Sequence, residues 1–233
     1  MGEAVTIIVS TSYVGVLCVI GEHGPPITHN EPHFMEKIQM NVVWGGVMDK
    51  QKLFGAFPEL SDGAMRLRKI DEGDLEEVFG LYSNPRIFEF CGILNQKNKA
   101  VVRSAIGHFE RDYIHQTRIK WGIAPAALGG RIAGIIEATD FNQIVNRATI
   151  GYFLHPDHWH QGYASAAVAI LTRFLIAEAG VNRIQAEVMP GNIHSKQVLL
   201  KNGFCLEGML RQAAVWPGKG LVDLEMYSRL ASD

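Results

Sequence analysis

The chain has 233 residues, 47% of them hydrophobic, and a formal charge of −2 from 22 Lys and Arg against 24 Asp and Glu. That length suits one domain, or one domain with an appendage, and the balanced charge with no long basic run argues against nucleic acid as a partner. Cys18, Cys91 and Cys205 are odd in number and widely spaced, without disulfide or metal-ligand spacing, which fits a reducing cytoplasm.

Residues 4–20 carry no charge. A signal peptide begins with positive charge, whereas the first charged residue here is Glu3. A membrane-crossing helix needs about 20 apolar residues, and Ser10, Thr11 and Ser12 interrupt this run, so a small β-hairpin turning there is a further reading. Gly-Pro-Pro and Asn-Glu-Pro within 21–47 read as loop. Gly45, Gly46 and Val47 ahead of Met48 are what a translated ribosome-binding sequence before a start codon would encode. Residues 1–47 are accordingly read as a translated leader, and 1–52 as an extension to a domain at 53–233.

Residues 65–70 form a short predicted strand. Asp71 can cap a helix with Leu75, Val78, Phe79 and Tyr82 on one face, ended by Asn84-Pro85. A second amphipathic helix is predicted over Lys99–His115, with Val102, Ala105, Ile106, Phe109 and Tyr113 on one side. Strands follow at 120–124, 131–139 and 147–154, with Gly129-Gly130 as the turn between the first two. The run from Tyr163 to Ala177 is apolar nearly all round and reads as a buried helix, stopped by Gly180. Residues 183–189 alternate as a strand, Asn192 can cap a helix ending at Gly203, and strands at 204–213 and 221–230 form a hairpin. The order β-α-α-β-β-β-α-β-α-β-β is that of a mixed α/β sheet.

The most informative segment is Trp159-His160-Gln161-Gly162-Tyr163-Ala164. A strand, a short loop and a glycine opening a helix make a phosphate cradle, since the free N–H groups and the dipole of a helix start favour an anion. A second signature is Asn192-Ile193-His194-Ser195, continuing to Lys201, Gly203 and Phe204. Together they resemble the GNAT superfamily of acetyl-CoA-dependent N-acetyltransferases, in its Rim-type, ribosomal-protein-alanine N-acetyltransferase-like branch. Arg66–Ile70, Asp74–Pro85 and Gly220–Tyr227 also match that branch in order, so the resemblance covers roughly residues 53–230. His160 stands where the branch usually has Gly, and Ala166 where Glu is common.

The resemblance implies a GNAT-type, mostly antiparallel central sheet flanked by helices, and acetyl-CoA as cosubstrate. It places the pantetheine arm at the backbone of Phe153 and Leu154. The adenosine diphosphate end falls over Gln161, Gly162, Tyr163, Ala164 and Ser165, with Asn192 and Lys201 as further coenzyme contacts. Ser195 is implied as the acid that protonates the leaving thiolate. By their own chemistry, Asn192 and Ser195 also read as a cap and a first-turn serine, and Lys201 as a solvated lysine near a helix end. Glu137 and Glu187 are the carboxylates expected at the cleft, Glu137 as the catalytic candidate with the general base left unassigned, and each also reads as an ordinary strand-edge or surface glutamate. His155, Asp157, His158 and His160 are read as polar loop residues, with no metal.

The function implied is direct acetyl transfer to a primary amine, a protein N-terminal α-amine first and a polyamine or antibiotic second. A non-catalytic acetyl-CoA-binding module is the rival from another class. The expected setting is cytoplasmic, as a monomer or homodimer without nucleic acid or membrane partners.

Overall fold

The computed structural model describes residues 47–92 and 94–233; the readings made of residues 1–46 lie outside them. The first helix, α1 (Lys50–Phe54), is capped by Asp49, whose carboxylate accepts from the N–H groups of Gln51 (2.8 Å) and Lys52 (3.1 Å). The Asp49 N–H in turn donates to the Ala179 carbonyl at 2.8 Å. Met48 and Leu53 are 2% and 0% exposed and belong to the main core. Residues 48–54 therefore pack in the same core as the domain expected from residue 53.

The elements that follow are β1 (Leu60–Ser61), β2 (Met65–Arg68), α2 (Leu75–Ser83), α3 (Lys99–Ile114), β3 (Arg118–Pro125), β4 (Gly134–Asn142), β5 (Arg147–Leu154), α4 (Tyr163–Arg173), β6 (Arg183–Val188), α5 (Ile193–Lys201), β7 (Cys205–Trp216) and β8 (Gly220–Leu230). A 3-10 turn at Ile87–Phe90 separates α2 from α3, and a π-helical turn at Phe174–Glu178 continues α4. From β2 onward this is the expected order. The eight strands form one mixed sheet, β1-β2-β3-β4-β5-β6-β8-β7, antiparallel everywhere except between β5 and β6.

Helices cover both faces. Ile135 packs with the cluster of α2 and α3, which includes Val78, Tyr82, Val102 and Ile106. Its neighbour Ile136 packs with the cluster holding Val168 and Leu171 of α4, as alternate residues of a strand must. Each such side chain, removed from water, contributes about 1.5–3 kcal/mol. The chain enters α2 through a capping box of Asp71 and Asp74, and Arg68 pairs with Asp74 at 2.6 Å. No helix among the described residues is long and apolar enough to cross a membrane.

Two local departures from expectation have physical causes. The β3–β4 connection is longer than a tight Gly-Gly turn: Ala126–Leu128 form a 3-10 turn, the Arg131 N–H returns to Leu128, and β4 starts only at Gly134. The helix expected to run to Ala177 widens after Arg173, where the Ala179 N–H reaches the Phe174 carbonyl at 2.9 Å.

The feature that positions the site is a gap in the sheet. β5 and β6 pair only at Arg147↔Arg183, Ala148↔Ile184 and Thr149↔Gln185. β5 then stays with β4 as far as Leu154, while β6 stays with β8 as far as Val188. The two strands part, and the backbone groups between them are left without a strand partner.

Candidate active site

A cavity of about 530 Å³ opens at this gap. Its walls are the end of β5 (Tyr152, Phe153, Leu154), the loop and first turn of α4 (Trp159, Gly162 to Ser165), the cavity face of α5 (Asn192, Ser195, Lys201) and the segment after α2 (Arg86, Glu89, Cys91). Phe153, Leu154, Gly162, Tyr163, Ala164, Ser165, Asn192, Ser195 and Lys201, all expected at the site, are thus brought together.

Gly162 has φ +79°, ψ 0°, and no side chain caps the first turn of α4. A left-handed residue is unstrained only as glycine. A Cβ built there would meet no atom within 4 Å, so the space before the helix start is open to an anion. His160 also takes a left-handed φ, +60°, at a cost of roughly 1–2 kcal/mol for a residue with a β-carbon. Its ring stands edge-on to His194 on α5, 5.1 Å between centroids, so this substituted position ties the loop to the far wall. Trp159 folds back to donate to the Leu154 carbonyl at 3.0 Å, and the Arg86 guanidinium lies 5.0 Å from the centre of its ring.

The backbone of β5 divides its tasks. A Cβ at Gly134 would collide with the Phe153 carbonyl, and His155 N–H donates to Ala133 at 2.9 Å. Alternate residues turn their backbone groups to the same side. Phe153 is therefore committed to β4, and Tyr152 and Leu154 face the gap. This corrects the expectation that the backbone groups of both Phe153 and Leu154 meet the pantetheine arm: period-two alternation lets only one of two neighbours face the gap.

Asn192 caps α5, accepting the Ser195 N–H on Oδ1 at 3.1 Å. The Tyr152 hydroxyl lies 2.9 Å from Ser195 Oγ and 3.1 Å from the Ser195 carbonyl oxygen. Burial pushes the Tyr152 phenol well above its usual range, the Ser195 hydrogen bond opposing only in part. Ser165 Oγ accepts from Asn202 at 3.2 Å, which fixes the start of α4 to the end of α5.

Three expected residues lie elsewhere. The Gln161 side chain donates to the Asp157 carbonyl at 3.0 Å and does not line the cavity. Glu137 is also outside it: its carboxylate lies 2.8 Å from Lys120 Nζ and 3.6 Å from Arg118 Nε. Burial pulls the Lys120 ammonium down, but Glu137 and Tyr82 together more than offset this, so the group is raised overall and stays charged. The Glu137 carboxylate is directed at these two cations of β3 and not at the cavity. Glu187 is exposed and does not line the cavity.

Sequence reasoning missed Tyr152, Arg86, Glu89, Cys91 and His194. The turn at Asn84-Pro85 is legible, but nothing in local pattern says that five of the next six residues wall a cavity formed by distant strands. Glu89 is the one carboxylate lining the cavity among the described residues.

Comparison with known proteins agrees with this geometry. Residues 64–205 match the Acetyltransferase (GNAT) domain family. An uncharacterized N-acetyltransferase of Bacillus subtilis is 33% identical over 156 residues, covering 67% of this chain and 88% of that protein. The ribosomal-protein-serine acetyltransferase of Escherichia coli is 31% identical over 99 residues, 42% of this chain and 55% of that protein. The fold is shared with the spermidine N-acetyltransferase of Vibrio cholerae solved with CoA and spermine, at a TM-score of 0.63 and 18% identity, covering 73% of this chain and 98% of the other. On family match and fold together, the chain belongs to the GNAT family and is an N-acetyltransferase.

Proposed function

We propose that this chain transfers acetyl from acetyl-CoA directly to the α-amine of a protein or peptide N-terminus. The observation that carries the reading is the parting of β5 and β6 beside the uncapped, glycine-opened start of α4. One end of the cavity offers gap-facing backbone groups to an extended amide-bearing arm, the other offers helix N–H groups to a pyrophosphate. The residues fit the cosubstrate on that ground. Leu154 and Tyr152 would hold the arm, Gly162 to Ser165 the phosphates, and Lys201 and Asn192 flank them. Acetyl-CoA supplies the activated acyl carbon.

Ser195 is the proposed acid. As the carbon–sulfur bond breaks and its electron pair goes to sulfur, Ser195 gives its hydroxyl proton to that sulfur. The proton shed by the acetylated nitrogen replaces it, so protons balance. A backbone N–H at the gap would serve the developing oxyanion.

The acceptor follows from charge. The amine must be neutral to attack, and Glu137 is engaged with Lys120. An α-amine, with a reference pKa of about 7.7–8.0, is deprotonated at pH 7 for roughly 1–1.4 kcal/mol, whereas lysine at about 10.4 costs roughly 4.6 kcal/mol. A cavity with one exposed carboxylate suits the first. Likeness to a ribosomal-protein-serine acetyltransferase favours the same choice. The test is mass mapping after incubation with peptides that begin with Ala or Ser and contain lysine. Acetyl at the α-amine is expected; acetyl mainly on lysine, or inert peptides beside reactive polyamines, contradicts it.

A further inference from the structure

We infer that Tyr152 is a positioning residue for Ser195, aiming its hydroxyl proton into the cavity and stabilising the serine oxygen as that proton leaves. The inference rests on the proposed role of Ser195. Tyr152 lies on β5 three residues beyond Thr149, the last residue paired with β6. Its side chain points to the face opposite Phe153 and reaches α5, so its hydroxyl joins the two sides of the gap where the thioester is proposed to lie.

The geometry leaves two hydrogen-bond patterns, because a phenol has one proton. In the first, Tyr152 donates to the Ser195 carbonyl at 3.1 Å and accepts from Ser195 Oγ at 2.9 Å, which commits the serine proton to the phenol oxygen. In the second, Tyr152 donates to Oγ and leaves the serine proton free to point at a bound sulfur. Asn192 already fixes the Ser195 backbone N–H, so rotation of the hydroxyl is the freedom that Tyr152 governs. Burial keeps the phenol protonated, so it can donate throughout.

As Ser195 releases its proton, its oxygen gains negative charge, and the bond from Tyr152 becomes charge-assisted and stronger. That gain belongs to the transition state, so its loss should appear in kcat rather than in coenzyme affinity. Tyr152 keeps its own proton, so no further proton acceptor is required.

A purely structural role makes a different forecast. A bond that only ties β5 to α5 would, when removed, lower thermal stability and loosen the coenzyme, whatever residue stands at 195. The test is a double-mutant cycle of Tyr152→Phe, which keeps the ring, and Ser195→Ala. It reads kcat, KM for acetyl-CoA, calorimetric binding and the thermal midpoint. Tyr152→Phe alone should lower kcat about tenfold with KM within about twofold, and in the Ser195→Ala background should cost less than about twofold more. An equal loss in both backgrounds, or a change confined to KM and stability, overturns the inference while leaving Ser195 in place. Full turnover in Ser195→Ala alone instead removes the serine role, and the inference with it. Should Tyr152→Phe fold poorly, 3-fluorotyrosine placed at position 152 alone, with Ser195 and with Ser195→Ala, supplies the comparison. A shift in the kcat pH profile that requires Ser195 supports the role, and its absence counts against it.

Discussion

Replacing Gly162 by aspartate places a negative charge where the coenzyme's phosphates are proposed to sit. The structure separates its two effects. Because the added Cβ meets no atom within 4 Å, there is no clash, and the folding cost is the left-handed φ of +79°, about 1–2 kcal/mol. For a domain of this size that lowers the thermal midpoint by roughly 2–8 °C, and the protein stays folded. Taking roughly 5 Å to the nearest phosphate and an effective dielectric between about 20 and 80, one pair of unit charges repels by about 0.8–3.3 kcal/mol. More than one phosphate charge acts and the backbone approach is lost, so acetyl-CoA affinity should fall at least about tenfold, or about 1.4 kcal/mol. Calorimetry measures it, with Gly162→Ala as the control that carries the strain without the charge. A folded Gly162→Asp that binds as the native protein does, or an alanine variant that loses as much, would refute the placement of the phosphates at this helix start.

Glu137→Gln leaves Lys120 buried without its compensating charge; a loss of about 3 kcal/mol is expected, or roughly 6–12 °C in thermal midpoint, with kcat retained in the folded fraction. A collapse of kcat at unchanged stability would restore Glu137 as the catalytic candidate. A chain beginning at Met48 should fold and bind acetyl-CoA like the full chain, because it keeps the Met48 and Leu53 contacts and the Asp49 cap; unfolding or lost binding would make residues 1–47 part of the domain. Glu207 is held down at about 2 by Arg183 and then Ser228, below its ordinary 4.5. A depressed carboxylate contributes stability above its unfolded pKa and loses it as pH falls through the folded value, here from about 4.5 to about 2. The side chain is 42% exposed, so screening limits the effect to about 1 kcal/mol or less. Urea unfolding of native protein and Glu207→Gln at about pH 6 and about pH 3 should show a smaller acid loss in the variant; equal losses would contradict this.

What could be read from the sequence was what local chemistry dictates. The Asn192 cap, the Gly162 turn and the strand at 147–154 depend on neighbours a few residues away, and each is found where expected. The gap between β5 and β6 depends on which strands lie beside each other and where they part, which no single run of residues encodes. For the same reason Tyr152 reads as an ordinary strand aromatic. Its reach to Ser195 exists only because α5 follows a strand that has separated from β5. Glu137 misled because alternation says that a residue alternates with its neighbours, not which face holds the cavity. Its partner Lys120 lies 17 positions away in sequence but directly across the β3–β4 register. Arg86 and Glu89 escaped notice because a 3-10 turn after a proline has no periodicity to mark its inward side.

The most direct test of the central claim is release of free CoA thiol from acetyl-CoA by the purified protein with an amine panel: peptides with free N-terminal Ala or Ser, the same peptides with blocked N-termini, a polyamine, and no acceptor. Catalysis at the cavity by way of Ser195 requires thiol release that depends on the free α-amine, matches acetyl-peptide formed mole for mole, and falls sharply in Ser195→Ala. Binding of acetyl-CoA with no thiol release against any amine would contradict it, and would make the chain a coenzyme-binding module in a catalytic fold.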